Sequence, residues 1–258
     1  MTARRTAPLP SSKIVITGAR IVAEIALPVL PEYLYRYRPL SGLDDMDRPD
    51  AVFDREVSAI LAPYIWSGEF SKLNDPMEGF FAPTKRLNNH SSRQEIIDAI
   101  VHGKSGVGIA SLSETNYNEL MWTHYAANST GICIEYKPHM LLAGLPDSTT
   151  LVRVGYDDKP AYLGLRDSGH QELAVRKILS QKKFNWAYER EWRLLSPIGR
   201  TQITKRNIIR RIYLGSRISE YHKFRLHNAL VGERIKLMEM QVTGYNYTYS
   251  LYAPSRRF

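Results

Sequence analysis

Apolar and polar positions alternate over short stretches of this chain and recur at helical spacing between them. Tyr33 to Arg38 alternates strictly, with Tyr35 and Tyr37 on one face and Arg36 and Arg38 on the other, and predicts a strand closed by Pro39, Ser41 and Gly42. Further strands are predicted over 64–67, 106–112, 131–136, 150–156 and 207–215. Residues 236–242 and 245–252 read as a terminal hairpin or two edge strands. Apolar residues at helical spacing mark helices over 54–61, 91–102, 118–127, 172–183 and 219–232. Ser92 stands where it can cap the second of these, with Glu95 three residues on in the capping-box position. Residues 13–30 are apolar but irregular and admit a strand or a helix. Residues 1–12, with Pro8, Pro10, Ser11 and Ser12, are expected to be a mobile tail. Residues 44–50 read as an acidic loop.

One stretch breaks the ordinary pattern. Residues 184–193 pack aromatic rings, two carboxylates and two guanidiniums together. Read as a strand over 188–195, they place Glu189, Glu191 and Arg193 on one face and Tyr188, Arg190 and Trp192 on the other. A half-buried strand alternates apolar with polar, whereas here one face is charged throughout. It is either a solvated sheet face or the floor of a polar site.

Strands and helices interleave irregularly, with no internal repeat. This predicts a single α+β domain over residues 31–258, with a mixed or antiparallel central sheet and peripheral helices, preceded by an N-terminal arm over 1–30. At 258 residues and 43% hydrophobic, the chain can bury a real core. A formal net charge of +9 permits a nucleic-acid or other anionic partner without requiring one. Cys133 is the only cysteine, so an intrachain disulfide is excluded; its apolar run, Gly131 to Ile134, predicts a core thiol. No run reaches the roughly 20 apolar residues that span a bilayer, and no cleavable leader is evident, so the expectation is a cytoplasmic protein with no membrane partner.

Several pieces in order resemble one family. They are Leu34-Tyr35-Arg36-Tyr37-Arg38, then Phe70 to Glu78 with Asn74-Asp75-Pro76-Met77-Glu78, then Ser111-Leu112-Ser113 leading to Met121-Trp122-Thr123-His124-Tyr125. Gly131 to Tyr136, Val154-Gly155-Tyr156, Tyr188 to Arg193 and Ile212 to Gly215 follow. Together they resemble the largely bacterial DUF2971 family, whose function is unknown, over roughly residues 33–250. Arg36 stands where that family often has lysine.

A Glu-x-Glu late in the chain, an arginine on an early strand and a serine-bearing strand between them are also similar to ADP-ribosyltransferases. That resemblance implies NAD as cosubstrate. It makes Glu191 the catalytic candidate and Glu189 its partner, with Arg36 or Arg38 the phosphate clamp and Ser111 or Ser113 the positioning hydroxyl. The chemistry fits these residue types, because a fixed carboxylate stabilises an oxocarbenium-like centre and a guanidinium grips phosphate bidentately. The bland reading pairs Glu189 and Glu191 with Arg193 and neighbouring basic strands.

Other candidates stand beside these. Asn74, Asp75 and Glu78 either form a turn that caps a helix or belong to a binding site, in which Asp75 and Glu78, completed by Glu189 or Glu191, bind a divalent metal ion as a nuclease does. His124 can serve as general acid or base, and Trp122, Tyr125 and Tyr37 can line a binding site; the alternative is a core role for the rings and a structural hydrogen bond for the histidine. No histidine or cysteine spacing matches a dedicated metal motif. Lys205, Arg206, Arg210, Arg211, Arg217, Lys223 and Arg225 form a basic cluster that either tracks a phosphate backbone or is a solvated face. Three functions therefore stand open: an NAD-using transferase, a nucleic-acid binder or metal-dependent nuclease, and a non-catalytic interaction or sensor module.

Overall fold

The computed structural model describes residues 29–42 and 50–254, together with the backbone of residues 13–17 and 20–24. The mobile-tail expectation for 1–12 and nearly all of the acidic loop lie outside these. The chain divides into two compact units after Pro31. In the first, β1 (Lys13–Thr17) pairs antiparallel with β2 (Arg20–Glu24), so the irregular apolar run is a hairpin.

The second unit opens with β3 (Leu34–Arg38), α1 (Ala51–Leu61) and β4 (Tyr64–Glu69). Then come β5 (Phe81–Pro83), α2 (Lys85–Asn88), α3 (Arg93–Ser105), β6 (Val107–Ser113) and α4 (Glu119–Tyr125). The middle of the chain is β7 (Ile132–Tyr136), α5 (Pro138–Leu142), β8 (Thr150–Arg153), β9 (Gly155–Tyr156) and β10 (Ala161–Leu163). It ends with α6 (Gln171–Leu179), β11 (Gln181–Lys182), β12 (Glu191–Pro197), β13 (Gly199–Gln202), β14 (Ile209–Leu214), α7 (Glu220–Ala229), β15 (Lys236–Thr243) and β16 (Asn246–Leu251). This is a mixed α+β fold with a large, mostly antiparallel sheet, and none of its described helices is long and apolar enough to cross a membrane.

The sheet runs β13-β4-β6-β3-β7-β14-β15-β16, with β12 on the other edge of β6 and β8 beyond it. β7 lies inside the sheet with all five residues buried, as the apolar run Ile132-Cys133-Ile134 requires, and the buried Glu135 accepts from the Tyr213 hydroxyl (2.6 Å). Cys133 sits there, and burial pushes its thiol well up, as the sequence implied for a core residue. The terminal segments form a hairpin. Its two-residue turn, Gly244-Tyr245, has positive φ only at the glycine (+60°), the pattern of a type II′ turn.

One core cluster packs α3 and α6 on the sheet through Ile96, Ile100, Val175, Ile178, Leu179, Ile109 and Leu195. A second gathers Tyr37, Trp122, Cys133, Tyr213 and Met240.

Three expectations are corrected. Residues 188–195 are not one strand: Phe184–Glu189 is a 3₁₀ turn, Arg190 is left-handed (φ 45°, ψ 52°), and the strand begins at Glu191. The helix expected over 172–183 stops at Leu179, since Gln181 and Lys182 pair in parallel with β9. Ser92 precedes α3 but its side chain makes no capping bond.

Along one edge of β6 the pairing is interrupted. β4 holds the start of that edge (Gly68 opposite Ile109) and β3 only its end (Tyr35 opposite Ser113). The sheet splays between these points.

Candidate functional site

A cavity of about 240 Å³ fills the splay. Tyr35, Arg36, Tyr37 and Arg38 of β3 wall one side, Trp66 and Gly68 of β4 with Lys72 and Asn74 another, and Ser111 and Ser113 of β6 the back. Tyr125, Lys182, Glu189 and Glu191 form the acidic end.

The acidic end is built on the 3₁₀ turn. Ser113 Oγ donates to the Glu189 carbonyl (2.6 Å), Asn118 Nδ2 to the Tyr188 carbonyl (3.3 Å), and the Glu114 amide to the Arg190 carbonyl (3.1 Å). Held this way, with Arg190 reversing the chain, Glu189 and Glu191 point into the same place although they do not share a strand face. The Ser113 hydroxyl is thereby committed to the backbone, which leaves Ser111 as the β6 serine beside the Glu191 carboxylate, where it helps to hold it ionised.

Arg193, fully buried, organises the charges. Its Nε donates to Glu191 Oε1 (2.9 Å) and its Nη2 to Glu191 Oε2 (3.0 Å). Nη1 and Nη2 also form a fork on Glu78 (2.5 and 3.0 Å), and Nη1 donates to the Leu179 carbonyl (2.6 Å). All five guanidinium hydrogens are used. Lys182, buried against the Trp186 ring, donates to Glu189 Oε2 (2.6 Å) and Glu191 Oε2 (3.4 Å). Tyr125 Oη donates to Glu189 Oε1 (2.5 Å).

Three carboxylates thus face two cations. Burial would raise the Glu191 carboxyl, but Arg193 and Lys182 outweigh it and hold it down at about 2. Glu189 has only Lys182 as a cation. Burial, aided by the Glu191 charge, raises its carboxyl above the usual range. At the other end, burial beside Arg38 lowers the half-buried Arg36 guanidinium to about 10, so it stays charged at neutral pH. Arg38 grips Glu56 bidentately (2.6 and 2.8 Å). Arg36 donates to the Trp66 carbonyl (3.0 Å), and no described carboxylate pairs with it.

The opposed shifts set a pH test. Glu189 binds its proton more tightly folded than unfolded, so its contribution is complete below the ordinary carboxylate range and is lost as pH rises through the raised value. Glu191 contributes above the ordinary carboxylate range and loses that contribution as pH falls toward about 2. Urea unfolding from about pH 4 to about pH 8 should therefore show Glu189→Gln gaining on the parent as pH rises. A difference that stays flat would mean that Glu189 is an ordinary, ionised carboxylate.

Several sequence candidates lie elsewhere. His124 is exposed on α4 and outside the cavity. Trp122 is fully buried, donates Nε1–H to the Asn116 carbonyl (2.9 Å) and packs edge-on to Tyr37, so it is core and not a ligand platform. Tyr37 reaches the cavity wall, but its hydroxyl is committed to the Thr115 carbonyl (2.9 Å). Asp75 accepts from the Met77 amide (2.9 Å) within its own turn, and Glu78 is held by Arg193. Neither lines the cavity, and among the described residues no group of three histidines, cysteines or carboxylates is placed to hold a metal ion. Sequence reasoning missed Lys182. It read as the end of a helix, and nothing in its neighbours announces the carboxylates that meet it across a turn.

A family model described as "Protein of unknown function (DUF2971)" matches residues 121–194, which agrees with the resemblance over that segment. The segment carries Tyr125, Lys182, Glu189 and Glu191, the whole acidic end, together with Arg193 beneath it. Comparison with curated proteins and with solved structures gives no match.

Proposed function

We propose that the cavity is the active site of an ADP-ribosyltransferase-like enzyme that uses NAD. The observation that supports it is the meeting of Arg36, Ser111, Glu189 and Glu191, drawn from the first, a middle and a late part of the domain, around one cavity. Arg38 is committed to Glu56, which leaves Arg36 as the phosphate clamp. At about 240 Å³ the cavity is smaller than the ~300 Å³ at which drug-sized pockets begin. It suits the nicotinamide-ribose end, with the diphosphate toward Arg36.

In this reading the bond from nicotinamide to the ribose anomeric carbon breaks, and its electron pair leaves with nicotinamide. The ribose carbon becomes oxocarbenium-like, and the acceptor adds to it. Glu191, kept ionised and immobile by Arg193, stabilises the positive charge without reorganising. Glu189, with its raised proton affinity, takes the proton that the acceptor loses.

One observation favours a second reading, a non-catalytic module. Arg193 uses every donor it has, as a purely structural clamp does. The divalent-metal nuclease gains no such support, since Asp75 and Glu78 are already committed.

Thermal unfolding with NAD separates the two readings. At a hundredfold excess over Kd, NAD should stabilise the protein by about 2.7 kcal/mol. Arg36→Ala should lose most of that shift while its unliganded Tm stays near the parent value, and the parent should release nicotinamide. No shift together with no release would leave the structural module.

A further inference from the structure

The outward face of β4 carries Tyr64 and Trp66, while Ile65 and Ser67, which alternate with them, are buried. Two residues along a strand separate the two rings by about 7 Å. Trp66 is 56% exposed, so a face of its ring is open to a ligand. Arg200, opposite Trp66 on β13, lays its guanidinium over the Tyr64 ring (4.0 Å to the centroid).

Three hollows follow one another along this strand and α1. The first is the cavity described above. A second, of about 500 Å³, shares Arg36, Arg38 and Trp66 with it and adds Arg55 and Tyr64. A third, of about 630 Å³, begins at residues 60–63, where α1 leads into β4, and is lined by Lys205, Arg206 and Arg234.

The charge along the series is one-sided. Glu56 is taken by Arg38 and Arg55, and Glu233 is the only other carboxylate lining the second and third hollows. Arg200, Lys205, Arg206 and Arg234 are exposed, with no ion pair among the described residues. The rest of the basic cluster seen in the sequence is largely neutralised: Arg210 and Arg211 face Glu135, Lys223 holds Glu220 and Glu239, and Arg225 holds Asp50 and Asp54. Four exposed cations outside any ion pair among the described residues, Arg200, Lys205, Arg206 and Arg234, therefore line a face that also carries the Trp66 ring and the Tyr64–Arg200 stack.

We infer that this face, from Trp66 to Arg234, binds a single-stranded nucleic acid, with bases stacked on Trp66 and on the Tyr64–Arg200 pair and phosphates along Arg200, Lys205, Arg206 and Arg234. Flat rings on a sheet face and flanking cations suit a strand whose bases are splayed out. An acidic peptide would use the cations but not the rings, and a duplex hides its base faces. The inference does not depend on what the cavity catalyses, because the test below contains no NAD.

The test is fluorescence anisotropy of the full chain with a labelled oligothymidine, and with duplex DNA and polyglutamate as competitors. Binding should weaken steeply with salt. Trp66→Ala should weaken the oligothymidine about tenfold and leave polyglutamate binding unchanged. Replacing Lys205, Arg206 and Arg234 together by alanine should flatten the log–log salt slope by roughly 2. All these positions are exposed or on the rim, and circular dichroism checks that each variant folds. The inference is overturned if oligothymidine does not bind, if Trp66→Ala binds it as the parent does, or if duplex or polyglutamate competes equally well.

Discussion

Arg193→Met is expected to lower the unfolding free energy by about 3–5 kcal/mol, a fall in Tm of roughly 10 °C or more. Methionine fills much of the same space, so the loss is electrostatic. It leaves Glu78 and Glu191 buried without the cation that both share, and it orphans the Leu179 carbonyl at the end of α6. Lys182 cannot compensate: it lies 3.4 Å from Glu191, is already committed to Glu189, and makes no bond to Glu78. Removing one carboxylate along with the guanidinium should restore part of the loss, so Glu78→Met combined with Arg193→Met should be more stable than Arg193→Met alone. Urea unfolding of the three proteins measures this. A single variant within about 1 kcal/mol of the parent would show that the two carboxylates reach water or take up protons easily.

How far the sequence reveals this centre depends on what its pattern can encode. The alternation of tyrosine and arginine placed β3 correctly, and the apolar run around Cys133 placed β7, because both are continuous strands with one pitch. The same logic put Glu189, Glu191 and Arg193 on one strand face. They do meet, but by another route: a 3₁₀ turn and a left-handed Arg190 deliver Glu189 to the place where β12 delivers Glu191. A period-2 reading assumes unbroken backbone and cannot register a positive φ at a residue that is not glycine. Trp122, His124 and Tyr125 lie within one turn of α4, yet one is core, one faces solvent and one binds Glu189. Helical spacing orders such residues around an axis but does not say which side the rest of the chain will cover. The choice between Arg36 and Arg38 was equally hidden, since it rests on Glu56 reaching back from α1.

Glu191→Gln should reduce nicotinamide release from NAD by about 10²–10³-fold, if the cavity works as proposed. The exchange keeps size and shape and removes the carboxylate charge that Arg193 and Lys182 hold ionised at the cavity. Its structural cost has to be separated from its chemical one, because glutamine can accept from Arg193 through one oxygen only and brings donors where a carboxylate had none. Two readouts make that separation. The thermal shift produced by NAD should persist in Glu191→Gln, since the ground-state grip belongs to Arg36, and the loss should fall on kcat with KM little changed. Arg36→Ala should do the reverse, raising KM and reducing the shift. If Glu191→Gln turned over NAD like the parent while the shift was intact, the fixed carboxylate would have no part in the chemistry. If instead it lost stability and the parent released no nicotinamide, the network around Arg193 would be a structural clamp with a cavity beside it.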